Sequence, residues 1–346
     1  WSAQQSKPLH IQLGEWADIL LIAPLTANTL AKLTHGLADN LLTNTVLASV
    51  CPVLLAPAMN TDMWQQSAVQ RNWQMMMADD RYHALPPGSG RLACDRVGTG
   101  RMSEPAEIVA HITSLFHTQG HRDLLGKHLL ISAGSTREHL DPVRFIGNPA
   151  TGRMGVALAI AAQHRGATVT LVHGPLSSDV ASTIAANIQS IAVTTAAEME
   201  QAMLSHLALA DWVIMAAAVA DVRPTTTAAS KLAKQDLPSQ LPLEFVPDIV
   251  AQLVHRKASN QKKGQKIVGF AAQTGEIVAP AVAKLQRKQL DAIVANPVDL
   301  PNSGFGSTHN EAVILSADGR KVNVAHTSKL LLAHRLYDFL LADASA

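Results

Sequence analysis

The chain has 346 residues, 47% of them hydrophobic and 16% charged, enough apolar material for two separately cored domains. Its formal net charge is +1, from 28 basic and 27 acidic side chains without a long block of either sign, which argues against nucleic acid or a membrane surface as partner. Two cysteines, Cys51 and Cys94, are too few for a secreted disulfide framework and lack metal-type spacing, and no run of about 18 apolar residues offers a spanning helix, so a soluble protein of the reducing cytoplasm is expected.

Strand and helix patterns alternate from the start. Residues 17–23 form an apolar run of strand length, 28–36 and 41–48 carry helical periodicity, and 51–56 reads as a buried strand. That strand runs into Leu54-Leu55-Ala56-Pro57-Ala58-Met59-Asn60-Thr61-Asp62-Met63-Trp64, where apolar residues hand over to polar and sulfur-bearing ones. Pro57 stiffens the turn, and Asn60 can donate and accept at once, so on a pocket floor it can hold a carboxylate or a flavin edge. A turn Asn beside core methionines is the plain alternative. The earlier strand end, Ala23-Pro24-Leu25-Thr26-Ala27-Asn28-Thr29, supplies Thr and Asn that can cap the next helix or present amides to a phosphate. Upstream, His10 is a candidate proton carrier near the same sheet edge. A glycine-rich loop over 88–100 reads as a mobile lid, which makes its Cys94 a better candidate for chemistry than the strand residue Cys51.

Pro105 opens a short amphipathic helix to about residue 116, and the polar stretch 117–126 reads as a linker. A second series follows: strand 128–132, helix 155–164, strand 168–173, helix 196–207, strand 212–217, strand 266–271, helix 278–287 and strand 292–295. A hairpin of 311–316 and 321–326 precedes a last helix over 328–341. Such alternation predicts a parallel sheet with helices on both faces. Ser132-Ala133-Gly134-Ser135-Thr136 follows a strand, and Asp141 to Asn148 runs into Thr151-Gly152-Arg153-Met154-Gly155, which opens a helix. Glycine and hydroxyl residues at such turns bring backbone amides close to phosphate. The spacing is not Gly-x-Gly-x-x-Gly, and no acidic residue ends the second strand, so a nicotinamide dinucleotide site is the weaker reading. Lys284 and Lys288 share one helix face and can hold a triphosphate, a solvated surface being the alternative.

Four pieces of the first half occur in one order: His10-Ile11-x-Leu13, the Pro24-x-Thr26-Ala27-Asn28-Thr29 strand end, Pro57-Ala58-Met59-Asn60 with Met63-Trp64, and Cys94 ahead of Gly98-x-Gly100-Arg101-Met102. Together they resemble the flavin-dependent cysteine decarboxylases, specifically the phosphopantothenoylcysteine decarboxylase half of bifunctional coenzyme A biosynthesis proteins. The resemblance implies FMN held near Pro24, Thr26, Asn28 and Thr29. It implies that the flavin oxidises the substrate's cysteinyl thiol toward a thioaldehyde, which lets the neighbouring carboxylate leave as carbon dioxide. In that scheme His10 serves the oxidative and decarboxylating half, Asn60 orients the carboxylate, and Cys94 protonates the enethiolate as hydride returns. The family's first strand and glycine-bearing phosphate loop are expected ahead of His10, so the amino-terminal portion is expected to be missing.

From Gly126 onward the segments resemble the phosphopantothenate–cysteine ligase half of the same proteins, with Asp221 and Lys231 at the family's spacing. The resemblance implies a CTP-dependent ligase of the bacterial type that passes through an acyl-cytidylate. Asn148 would stabilise that intermediate, with Arg144 as a nearby anion contact. Met215, Ala216, Ala217, Asp221, Pro247, Asp248, Ile249, Val250 and Phe270 fall where the family contacts the nucleotide. Lys284 and Lys288 would take its phosphates, Lys231 would close over the site from a mobile loop, and Mg²⁺ would bridge phosphates mostly through water. Two departures, Ala233 within Lys231-Leu232-Ala233-Lys234 and the hydroxyl-free Gly147 and Ala150, predict adjusted affinity rather than lost activity.

The expected organisation is a flavodoxin-like or Rossmann-like flavoprotein domain over 1–117, a linker over 118–126 and a Rossmann-like ligase domain over 127–346. Each is expected to be a three-layer α/β domain with a mainly parallel sheet. The resemblance also implies a homo-oligomer, trimeric around flavin and dimeric between ligase domains, with phosphopantothenate, cysteine, CTP and phosphopantothenoylcysteine as small-molecule partners. A nicotinamide-dependent oxidoreductase and a non-catalytic regulatory flavoprotein-like subunit are the competing readings.

Overall fold

The structure, a computed structural model, describes residues 7–91, 97–259, 262, 264–300 and 304–342. It divides into two compact units, Trp1–His121 and Arg122–Ala346. The first contains α1 (Leu9–Trp16), β1 (Leu20–Leu25), α2 (Ala27–Thr34), α3 (Leu41–Ala48), β2 (Val53–Pro57), α4 (Thr61–Gln65), α5 (Ser67–Met77), β3 (Tyr82–Ala84), β4 (Gly88–Arg91), β5 (Val97–Arg101) and α6 (Pro105–Thr118).

Strands β1, β2 and β3 form a parallel sheet in that order. Val53 and Leu55 pack with Ile22, Leu30 and Met76 on one face, while Leu54 and Ala56 pack with Ile108 and Leu115 on the other. Successive side chains of a strand point to opposite faces, so β2 is apolar at every position and wholly buried. Helix α6 starts at Pro105 and is fixed by a Glu104/Glu107 capping box, and it continues two residues beyond the expected end into the anticipated linker. The glycine-rich segment is described on either side of its tip, residues 92–96 lying outside the described residues. Its described residues pair as the antiparallel strands β4 and β5, because Gly98 and Gly100 let β5 press against the Met59–Asn60 turn. A Cβ at Gly100 would lie 2.1 Å from the Met59 carbonyl oxygen, and one at Gly98 would lie 2.4 Å from Thr61 Oγ1.

The second unit contains β6 (His128–Ala133), β7 (Arg137–His139), β8 (Phe145–Gly147), α7 (Arg153–His164), β9 (Thr168–His173), α8 (Ser178–Ala181), β10 (Gln189–Ala192), α9 (Ala196–His206) and β11 (Trp212–Met215). It continues with β12 (Val222–Pro224), β13 (Leu243–Phe245), α10 (Ile249–Ser259), β14 (Lys266–Gln273), α11 (Val278–Arg287), β15 (Ala292–Pro297), β16 (His309–Ser316), β17 (Lys321–Ser328) and α12 (Lys329–Leu341). Its eight-stranded sheet has the order β10-β9-β6-β11-β14-β15-β16-β17. The strands are parallel from β10 to β15 and antiparallel from β15 to β17.

One face carries Leu129, Ile131, Leu158, Ala162, Leu336 and Tyr337, the other Leu130, Met199, Met203, Val213, Leu253 and Leu285. The sheet is therefore sandwiched between α7 and α12 on one side and α9, α10 and α11 on the other, a mainly parallel three-layer α/β arrangement. Helix α7 approaches β6 closely at Gly155, where a Cβ would sit 2.4 Å from that of Ala133. The chain winds outward from β6 through β9 to β10, then returns to β11 on the other side of β6 and winds the opposite way. That reversal opens a crevice at the carboxyl ends of β6 and β11, where open parallel sheets place ligands.

Candidate functional site

A cleft of about 850 Å³ occupies this crevice. One wall is the Gly152–Gly155 start of α7, and the other comes from Met215–Asp221 beyond β11, Pro247–Val250 at α10, and Phe270 in β14. Gly152 caps α7 with φ +84°, a conformation glycine adopts without strain, so the first turn of a twelve-residue helix faces the cleft. Asn148 stands at its rim. Its amide donates to Ser135 Oγ at 3.0 Å, and its side-chain nitrogen reaches the Ala218 and Val219 carbonyls at 3.4 and 3.3 Å. The Asn148 carboxamide is thus held against the 216–221 turn.

Lys284 and Lys288 project into the cleft from the end of α11. Burial lowers both ammonium pKa values, with Arg287 adding to the effect at Lys284 and Asp221 opposing it at both. Lys284 donates to the Phe270 carbonyl at 2.8 Å, while Lys288 is paired with Asp248. Arg153 is paired with Asp179. The basic groups are therefore held by carbonyls and carboxylates that an incoming polyanion can replace.

Every residue expected at the nucleotide, from Met215 to Lys288, lines this cleft together with Asn148, except Lys231; the expected anion contact Arg144 is also not among its lining residues. Arg144 instead pairs with Asp141 at 3.2 Å, and the Lys231 side chain is exposed.

Sequence reasoning missed Lys329. Its amine is buried at the cleft and donates to the carbonyls of Gly304 at 3.1 Å, Ser307, and His309 at 3.4 Å, and it fastens the loop that brings Gly304, Phe305 and Gly306 to the cleft wall. Burial, with the Arg153 charge nearby, pulls Lys329 down to about 8. Nothing local in the sequence distinguishes it from any lysine opening a helix.

In the first unit, β1 and β2 end side by side, with Leu25 opposite Pro57 and the Ala58 amide on the Leu25 carbonyl at 3.0 Å. Thr26, Asn28 and Thr29 begin α2 at this edge. Thr26 caps the helix by accepting from the Thr29 amide at 3.2 Å, and Thr26 and Asn28 are exposed. Asn60 is at the same edge as the cap of α4, with Oδ1 accepting from the Asp62 amide at 2.8 Å. Beside it, Thr61 Oγ1 is buried and has no hydrogen-bond partner among the described residues. His10 lies in the first turn of α1, half-buried. A helix that precedes a parallel strand runs against it, so the start of α1 is on the carboxyl side of β1, the side of Thr26 and Asn60. Trp64 packs edge-on against Trp73, ring centroids 5.2 Å apart, and so anchors α4 to α5. Cys94 lies outside the described residues. Among those described, no group of three or more His, Cys, Asp or Glu could hold a metal ion, and no helix is long and apolar enough to cross a membrane.

Residues 1–117 match the Flavoprotein family, and residues 124–343 match the C-terminal domain family of the DNA/pantothenate metabolism flavoprotein. The coenzyme A biosynthesis bifunctional protein CoaBC of Bacillus subtilis is 44% identical over 321 residues, 93% of this chain and 77% of that protein. A cysteine/cysteine sulfinic acid decarboxylase from an unknown prokaryotic organism is also 44% identical, over 308 residues, 88% of this chain and 84% of that protein. The crystal structure of the C-terminal domain of a coenzyme A biosynthesis bifunctional protein CoaBC superposes with a TM-score of 0.52 at 30% identity, covering 65% of this chain and 100% of that one. Two family matches in tandem and identity of this extent over both halves show that the chain belongs to the bifunctional coenzyme A biosynthesis protein family of ligase and decarboxylase enzymes.

Proposed function

We propose that the second unit joins cysteine to 4'-phosphopantothenate with CTP, and that the first unit removes the cysteine carboxylate of the product in an FMN-dependent step that yields 4'-phosphopantetheine. The observation that carries the ligase reading is the convergence of Asn148, Asp221, Lys284 and Lys288 on one cleft at the sheet's reversal point. A carboxylate is a poor acyl donor. Its oxygen attacks the α-phosphorus of CTP and pyrophosphate leaves; the cysteine amine then attacks the acyl carbon, CMP leaves and the amine gives up a proton.

Lys284 and Lys288 hold the phosphates of CTP, with Lys288 exchanging Asp248 for phosphate, and the amides opening α7 add further donors. Asn148 donates its side-chain amide to the acyl-cytidylate, Arg144 meets the anionic substrate, and Lys231 closes over the developing charge. Asp221 and Asp248 line the cleft and would hold Mg²⁺ through water, and the ion would neutralise phosphate charge.

FMN fits the carboxyl edge of the first unit. Thr26, Asn28 and Thr29 offer hydroxyl and amide donors at a helix start, Pro24, which has no amide hydrogen, offers only ring contact, and the Thr61 hydroxyl is buried without a partner among the described residues. When bound, the flavin supplies the two-electron oxidation and its reversal. The chain's own residues then do the rest: Asn60 orients the substrate carboxylate, His10 carries a proton, and Cys94 returns one to carbon. The cysteine/cysteine sulfinic acid decarboxylase relative favours a second reading for this unit, with free cysteine as the substrate.

The ligase reading is tested by mixing protein, Mg²⁺, CTP, phosphopantothenate and cysteine, then following pyrophosphate and product mass. Absence of CTP-dependent phosphopantothenoylcysteine refutes it.

A further inference from the structure

We propose that Asp141 is a positioning residue that latches the segment carrying Lys231, its two carboxylate oxygens having separate tasks. Only the statement of what that segment closes over rests on the ligase reading. Asp141 is fully buried in the turn between β7 and β8. Oδ1 accepts from the amides of Val143 and Arg144, both at 2.8 Å, and so shapes the turn. Oδ2 accepts from the Arg144 guanidinium at 3.2 Å and from the Leu232 amide, distant in sequence, at 3.3 Å.

Arg144 also donates to the Leu232 carbonyl at 3.2 Å. Both polar groups of residue 232 are therefore gripped by one ion pair. Just upstream, Thr227 Oγ1 and the Ala228 amide donate to the carbonyls of His139 and Leu140, each at 2.9 Å. The segment is thus zipped onto the β7–β8 turn, with the Lys231 side chain exposed and outside the cleft lining. Burial pushes the Asp141 carboxyl up, but the amide hydrogen bonds and the Arg144 charge outweigh it and keep the group below the usual carboxylate range. For Lys231 to reach the cleft, Oδ2 must release Leu232.

Asp141→Asn separates the two tasks. The carboxamide oxygen can take the place of Oδ1 and keep the turn, whereas an NH₂ group in place of Oδ2 cannot accept from Leu232 or Arg144. Leu232→Pro removes the same hydrogen bond from the other side and leaves the buried Asp141 untouched. Both full-length variants are digested with trypsin without nucleotide, and cleavage is timed by mass spectrometry, after Lys231 and Lys234 in Asp141→Asn and after Lys234 alone in Leu232→Pro, whose Lys231–Pro bond trypsin does not cut. Loss of one charge-assisted hydrogen bond raises the open population, and with it the cleavage rate, roughly tenfold. CTP-dependent pyrophosphate release supplies the second readout. With the latch gone, closure over the nucleotide no longer competes with it, so KM for CTP falls while kcat holds.

Parent-like cleavage in both variants, or kcat falling together with a raised KM, overturns the proposal. Should the parent release no CTP-dependent pyrophosphate, the ligase reading fails, and the cleavage rates still decide whether the latch exists.

Discussion

Replacing Lys284 by Met separates what the cleft does for the fold from what it does for a ligand. The ammonium donates to the Phe270 carbonyl at 2.8 Å, and a hydrogen bond from a charged donor contributes about 1.5–3 kcal/mol. Against this stands burial, which lowers the Lys284 pKa and makes the charged form costly to hold. An apolar replacement of similar length removes both effects, so folding stability is expected to change by no more than about 1 kcal/mol. A phosphate loses a charged donor outright, which weakens CTP binding roughly 10- to 100-fold.

The pH dependence has a definite sign. A lysine with a lowered folded pKa binds fewer protons than its unfolded counterpart between the two values. Parent stability therefore gains with rising pH over the window that ends near the ordinary value of 10.5, and Lys284→Met loses that increment. Urea titration across that range and calorimetric CTP titration at neutral pH measure the two effects. A variant destabilised by more than about 3 kcal/mol that still binds CTP like the parent would refute the reasoning and make Lys284 a structural residue.

Asn148→Ala removes the carboxamide held at the Ala218 and Val219 carbonyls, and amide product should fall by about two orders of magnitude in kcat/KM. Product mass spectrometry checks this, and parent-like turnover contradicts it. Gly155→Leu forces a side chain into a site where even a Cβ would lie 2.4 Å from Ala133 and 2.8 Å from the Ser132 carbonyl, so urea unfolding should show a loss of at least about 2 kcal/mol. Tyr337→Phe deletes a buried donor 2.7 Å from the Leu158 carbonyl, a loss of about 1 kcal/mol. Burial also raises the Tyr337 pKa, so its contribution is whole below 10.0 and declines above it as the unfolded phenol ionises first. The variant should lack that alkaline decline in urea titrations.

The long parallel strands were legible because β6, β9 and β15 are buried and their apolar runs stop at clear turns. The cleft was legible for a related reason. Met215–Ala217 and Pro247–Val250 sit at a strand end and a helix start, where a parallel fold gathers ligands, and Phe270 lies within β14. The three-residue ribbons β7–β8 and β12–β13 are too short to show alternation. Strands β4 and β5 were hidden because glycine leaves no side-chain pattern, and it is there for close backbone approach. Lys329 and Asp141 act through backbone groups distant in sequence, and such partners exist only once the chain has folded.

Carboxyl-labelled cysteine supplied with phosphopantothenate, Mg²⁺ and FMN, with and without CTP, separates the two reactions in one vessel. Labelled phosphopantothenoylcysteine is expected one-for-one with CMP, and labelled carbon dioxide only after that product accumulates. Labelled carbon dioxide without CTP, or no labelled amide with it, would contradict a chain that ligates first and decarboxylates second.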